Sequence, residues 1–327
     1  MSYADQVFVN NCTEILTNGI SDVRMDVRPR WEDGTPAHTI KRLYISNQYD
    51  LRKEFPVMTL RKTYFKSAMQ EIFWIYRDKT SQLKYLQSHI WDAWDVGNGS
   101  IGKAYGYQIN LRSKHHVWFK GDTERMRSLM LDYYVDDEDW VWLNQMDAVL
   151  YDLAYYPASR AIMTNTYNHD DLTEMGLRPC AFMMQYSVTV EDGEKVLNGC
   201  LTQRSQDTLT ANNWNVAQYA GLLSIVAHCL GMKPGRFAHN VWDMHIYDRH
   251  TDIVRSMIQT YTDALQHYYA MHPPIDDGDF SLCDVPYPAP KLWINPDKHI
   301  FNQFTDEDIK LVDYQCCPFD HEIEVAI

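Results

Sequence analysis

The sequence predicts an α+β fold with a mainly antiparallel or mixed sheet. Apolar residues recur at helical spacing through FKSAMQEIFWIYR (65–77), with good helix formers between them. A nearly all-apolar stretch, WNVAQYAGLLSIVAHCLG (214–231), has the length of a central helix closed by Gly231. Strand-like runs at 182–190 and 196–203 follow one another directly, joined by the turn signal EDGE (191–194). Consecutive strands, not strands alternating with helices, separate α+β from a doubly wound parallel sheet.

Along the chain, the first helix places Glu71 among apolar neighbours. The segment 112–142 is rich in charge and aromatic residues without clear periodicity and is expected to be an insertion or a lid. VWLNQMDAVLYDLAYY (141–156) predicts a second helix, ended by Pro157. Further strands are expected at 161–167, 236–247 and 321–327. The chain shows no repeat, low-complexity tract or Gly/Ser linker, so its 327 residues are counted as one domain, 1–327.

Composition narrows the function. A formal net charge of −14 argues against a general binder of phosphate backbones, so any anionic ligand must be met locally. Much of that acidity lies in DYYVDDEDW (132–140), expected to be a solvated face. No apolar run approaches the roughly 18 residues of a membrane span, and MSYADQVFVNN lacks a secretory layout, so the expectation is a cytoplasmic protein. Seven cysteines without C-x-x-C spacing support neither a disulfide framework nor a zinc site, and no metal is expected.

Three stretches carry candidate chemistry. In LRPCAFMMQYSVTV (177–190), Cys180 follows a proline at the head of a strand and is either a buried small hydrophobe or a nucleophile. In CLTQRSQDTLTANNWNVAQYA (200–220), a strand runs into Arg204, Ser205 and Asp207 before a helix. These residues either cap that helix or seat a phosphomonoester on a guanidinium fork and a hydroxyl. In WDMHIYDRH (242–250), alternation puts His245 and Tyr247 on one strand face, as core residues or as a pair suited to a sugar hydroxyl.

Taken together, these residues resemble the folate-dependent thymidylate synthases. PC (179–180), QRSQD (203–207), NVAQY (215–219) and DMHIYDRH (243–250) stand in that family's order and spacing. DGTPAHT (33–39), FPVMTLRKTYFKSAMQEIFWIY (55–76), HIWDAWDVGNGSIGKAYGYQ (89–108), LWINP (292–296) and VAI (325–327) are similar too. The resemblance covers nearly everything except about 112–142, and an ordered set of this size is far more specific than QRS alone.

The resemblance implies a large bent mixed sheet packed with helices, with the sheets of two subunits back to back in a homodimer. It implies reductive methylation of dUMP to dTMP, with 5,10-methylenetetrahydrofolate as one-carbon and hydride donor. Cys180 becomes the nucleophile at uracil carbon 6, with Arg204 beside it. Phosphate falls to Arg204, Ser205, Arg28 (Arg30 being two residues away) and Arg160 from the other subunit. Asn215 corresponds to the carboxamide that reads the uracil edge, and His245 and Tyr247 to the pair on the 3′-hydroxyl. Asp207 corresponds to the carboxylate at the pterin, which also borders the dUMP site. Glu71 moves protons at the carbonyl, and Tyr105 helps remove the carbon 5 proton. Trp91, Trp94 and Ile327 border the folate.

Ala181 and Ala161 stand where histidine and a second arginine are usual, and ANNWN (211–215) and Trp242 depart from the common pattern. None removes a group that performs covalent chemistry. Two rivals remain: a dUMP hydroxymethylase on the same fold, and a non-catalytic nucleotide- or RNA-binding module. Asn215 speaks against hydroxymethylation of cytosine, Trp91 sits where water must be excluded, and the acidic balance opposes the module.

Overall fold

The structure, a computed structural model, describes residues 1–117, 121–137, 139–271, 287–288 and 290–327. Cys283 and parts of 112–142 (118–120 and 138) lie outside the described residues. The main sheet has six strands: β1 (Ile20–Ser21), β2 (Thr39–Asp50), β6 (Met163–Asn165), β7 (Ala181–Glu191), β8 (Glu194–Asp207) and β9 (Lys233–Tyr247). Their order is β1-β2-β9-β8-β7-β6. β8 and β9 run parallel, connected through α6 (Asn212–Cys229), and the other pairs are antiparallel, so the sheet is mixed. The β7–β8 turn is tight because Asp192 (φ 51°) and Gly193 (φ 81°) both take the left-handed conformation that a primed hairpin turn needs.

Helices α1 (Tyr3–Asn18), α2 (Phe65–Tyr76) and α6 form a layer on one face of this sheet. α6 is buried along nearly its whole length, which is why its sequence is apolar all round. Gly221 lets α2 approach: a Cβ there would stand 2.7 Å from the Met69 sulfur. Truncating a side chain as buried as Ile72 or Phe73 would cost about 2–5 kcal/mol. α1 starts with a capping box, Ser2 to Asp5, and the buried Asp5 carboxylate also accepts the Thr59 N–H (2.8 Å) and Thr59 hydroxyl (2.6 Å). That bond fixes the loop leading into α2.

Several expectations change. Residues 141–144 are strand, not helix: β5 (Trp140–Asn144) pairs with β3 (Arg112–His116) and β4 (Tyr133–Val135), and helix α5 (Gln145–Tyr155) begins after it. The Asn144 side chain accepts the Asp147 N–H at 3.0 Å, so the helix starts at this cap. With the short helix α4 (Asp122–Ser128), these strands give 112–142 its own antiparallel sheet, and none of them lines the cavity around Cys180. The stretch 132–137 is solvated except for half-buried Tyr133. Residues 321–327 form no strand; they run extended over the surface, with only Ile327 paired to the Arg30 backbone.

Elements the sequence reading did not anticipate are α1, β2, the five-residue α3 (Gly106–Asn110), α7 (Thr251–Met271) and the hairpin β10 (Lys291–Ile294) with β11 (Ile309–Val312). Among the described residues, no helix is long and apolar enough to cross a membrane.

Candidate active site

Proline has no N–H to give a sheet, so β7 starts after Pro179, and Cys180 sits at its mouth. The Cys180 carbonyl accepts the Arg204 N–H at 2.9 Å, locking the start of β7 to the end of β8. The Arg204 side chain folds back over the same corner. Its Nε donates to the Pro179 carbonyl (3.0 Å), and its Nη2 to the Arg178 carbonyl (2.7 Å) and to Cys180 Sγ (3.5 Å). Burial pushes the Cys180 thiol up, and the positive charges of Arg204 and Arg28 pull it back. Of the two loop arginines, Arg28 is the one whose charge acts on the sulfur. Arg30 instead turns its guanidinium onto the Val27 and Pro29 carbonyls.

Tyr105 closes the other side of Cys180. Its hydroxyl accepts the Cys180 N–H at 3.0 Å, and its backbone is held at φ 43°, a conformation that side chains rarely adopt and that concentrates at functional sites. Burial, then the Cys180 charge, pushes its phenol well up. Glu71, on the inner face of α2, is 5 % exposed. Burial raises its carboxyl to about 7, against stabilising N–H groups of Gln218, Trp214 and Trp91. Trp214 Nε1 donates to Glu71 Oε2 at 3.0 Å, whereas the Trp91 N–H lies close without a formed hydrogen bond.

These groups share a cavity of about 330 Å³. Glu71, Trp91, Trp94, Tyr105, Cys180 and Asn215 all line it, although their elements are far apart in sequence. Trp91 packs edge-on against Trp94 (5.4 Å) and Tyr105 (5.2 Å), giving the wall flat, apolar surfaces. Asn215, in the first turn of α6, accepts from Gln203 and donates to Gln218, each at 3.2 Å.

The remaining expected residues stand around this cavity. Ser205 and Asp207 pair in parallel register with Asp243 and His245 of β9. Asp207 is spent on its own turn: it accepts the Leu209 N–H (3.0 Å), Thr210 N–H (3.2 Å) and Thr210 hydroxyl (2.6 Å) ahead of α6. His245 Nδ1 lies 2.9 Å from Asp243, and its ring meets Tyr247 edge-on at 5.2 Å. Tyr247 is raised by burial first and then by the charges of Asp207 and Cys180. Arg160 is exposed between α5 and β6, and among the described residues no hydrogen bond or ion pair holds it. Ile327 lines an outer cleft with Trp31, Glu324 and Val325, and of these tail residues Val325 also borders the Cys180 cavity. Trp214 and Gln218 were not anticipated. Their only signal is position, one residue before and three residues after Asn215 on a helix whose first turn faces the cavity.

A buried thiol beside a guanidinium, a near-neutral carboxyl and a carboxamide share one aromatic-walled cavity, an arrangement suited to the class of enzymes that use a thiol nucleophile on a flat ring. The family profile described as Thymidylate synthase matches residues 6–327. The thymidylate synthase of Bacillus licheniformis is 33% identical over 319 residues, 96% of either chain. That of Bacillus phage phi3T is 31% identical over the same share. Among solved structures, the thermostable thymidylate synthase A from Bacillus subtilis matches 99% of both chains at 30% identity with a TM-score of 0.76. The chain belongs to the thymidylate synthase family, which are methyltransferase enzymes.

Proposed function

We propose that this chain converts dUMP to dTMP with Cys180 as covalent nucleophile. The observation that carries this reading is Cys180 Sγ lying 3.5 Å from Arg204 inside the cavity that also holds Glu71 and Asn215. The thiolate adds to uracil carbon 6, the carbon 5–carbon 6 π bond opens, and its electrons pass through carbon 5 to the carbon 4 oxygen as an enolate. Methylenetetrahydrofolate supplies the one-carbon unit for carbon 5 and then the hydride, leaving as dihydrofolate. Glu71, with a carboxyl near 7, can give and take a proton at the carbon 4 oxygen. Tyr105 stands beside Cys180, where the carbon 5 proton leaves and the thiolate is expelled. Arg204, Ser205 and Arg28 take the phosphate, and His245 and Tyr247 the sugar. The indoles of Trp91 and Trp94 fit a flat ring system and keep water from the exocyclic methylene, which favours reduction over hydroxymethylation. Asp207 borders the same pocket through the turn it holds.

The active unit is a homodimer in the cytoplasm. Ser46, Asn240 and Cys200 form a bonded row on the sheet face opposite buried Phe237, His239 and Val241, and Trp242 on that face is 60% exposed. A second sheet packed there would cover it and bring Arg160 to the partner's phosphate site. The test is incubation with dUMP and methylenetetrahydrofolate, following product mass and dihydrofolate absorbance. Equimolar dTMP and dihydrofolate support the reading; hydroxymethyl-dUMP, or no product from folded protein, overturns it.

A further inference from the structure

A primary carboxamide discriminates only if it cannot turn over. Uracil presents an N–H donor beside a carbonyl acceptor, cytosine an acceptor beside an amino donor, and a 180° flip of Asn215 would suit either. The surroundings of Asn215 decide between them. Gln218 Nε2 lies 3.1 Å from the Ala68 carbonyl, and a backbone carbonyl can only accept. The amino end of Gln218 is thereby fixed there, and its oxygen must face Asn215 Nδ2, 3.2 Å away. Asn215 Oδ1 consequently faces Gln203 Nε2 at 3.2 Å. Gln203 Oε1 then points at His239 Nε2 at 2.6 Å and Gln206 Nε2 at 3.4 Å. His239 must then carry its proton on Nε2, which leaves Nδ1 a buried acceptor without a hydrogen-bond partner. Every member but Asn215 is almost fully buried: Gln203 1 %, Gln206 2 %, Gln218 1 % and His239 0 % exposed.

Resting on the functional reading above, we infer that Gln218 and His239 are positioning residues that lock the Asn215 carboxamide one way round and so set uracil over cytosine. The lock leaves one lone pair of Oδ1 and one N–H of Nδ2 for the cavity, the complement of uracil N3–H and O4. Gln218 anchors the chain at the α2 backbone and His239 anchors it at β9, so each end adds to the cost of the flip, losing one weakens the lock and losing both releases it.

The test is calorimetric titration of the full chain with dUMP and with dCMP, without folate. Wild type favours dUMP. Gln218→Met and His239→Phe each lower the dUMP:dCMP affinity ratio, and the double variant lowers it by about tenfold or more, the worth of one misdirected hydrogen bond. His239→Gln, which keeps an N–H donor, stays near the wild-type ratio. A double variant that binds both nucleotides more weakly by the same factor, or keeps the wild-type ratio, overturns the inference. Where Gln218→Met does not fold, His239→Phe against His239→Gln carries the same test. A wild type with no preference for dUMP overturns the functional reading and this inference with it, whereas a preference that survives in all variants overturns the inference alone.

Discussion

Arg249 holds Glu324 through Nη1, which is shared between both carboxylate oxygens at 2.9 Å each, and so ties the C-terminal tail to the turn after β9. The same guanidinium donates through Nη2 to Asp33 (2.6 Å) and Thr35 (2.9 Å) and lies over the Trp31 ring. His250 adds a 2.8 Å contact to the Glu324 carbonyl. One residue beyond Glu324, Val325 borders both the outer cleft and the Cys180 cavity. An exposed pair contributes little to stability, but one guanidinium whose two nitrogens bridge three segments fixes geometry. Arg249→Ala is expected to raise KM for the folate several-fold while dUMP affinity changes by less than about twofold. Removal of Ile327 should act in the same direction and spare folate-independent dehalogenation of bromo-dUMP. Steady-state kinetics with each substrate varied check both; an unchanged folate KM in both variants counts against the tail as a clamp.

Glu71 makes a paired prediction about pH. Its carboxyl ionises near 7 in the folded chain against an ordinary 4.5, so between those values the folded state binds more protons and stability falls as pH rises. Glu71→Gln removes that loss. The variant should match wild type near pH 4 and exceed it at pH 8 by at most about 3 kcal/mol, measured by denaturant unfolding. Activity moves oppositely: without a proton to exchange, turnover should drop about 10²–10⁴-fold, and the decline above pH 7 expected of the wild type should be absent from the variant.

Cys180→Ala should abolish turnover with the fold intact, and fluoro-dUMP with folate should label Cys180 in the wild type. Because burial raises the thiol, adduct formation should accelerate with rising pH. Arg204→Gln removes the largest opposing charge, so its rate should rise only at still higher pH. Stopped-flow adduct formation across pH distinguishes the two.

Mixing inactive Cys180→Ala chains with inactive Arg160→Ala chains should restore activity, since one of the two sites in each mixed dimer has both residues. No recovery after verified subunit exchange would place Arg160 outside the partner's site.

The amino-acid pattern was legible where one element's own periodicity or turn chemistry is decisive. α2 and α6 follow from apolar spacing, and the β7–β8 hairpin from Asp192–Gly193, which suit a left-handed turn. β2, TIKRLYISNQYD, was not legible. It mixes Lys, Arg, Asn and Gln through both faces, and its identity as a strand comes from pairing with β9 along nearly its whole length. Residues 141–144 continue the apolar run of α5, so periodicity alone could not separate them; the Asn144 cap was the available signal. The tail 321–327 alternates like a strand but finds no ladder to join.

By itself the sequence determined the fold class, the central helices and the family, and it singled out a candidate inventory, because residue types such as Cys180 after Pro179 and Arg204 before Ser205 are legible wherever they stand. Only the tertiary structure decided how that inventory works. Bonding Trp214 to Glu71, lining the cavity with Val325 and not Ile327, and linking the Asn215 amide to Gln218 and, through Gln203, to His239 all depend on contacts between residues far apart in the chain. Such contacts are set by packing and by the need of every buried polar group for a partner, and neither is written in the order of the residues alone.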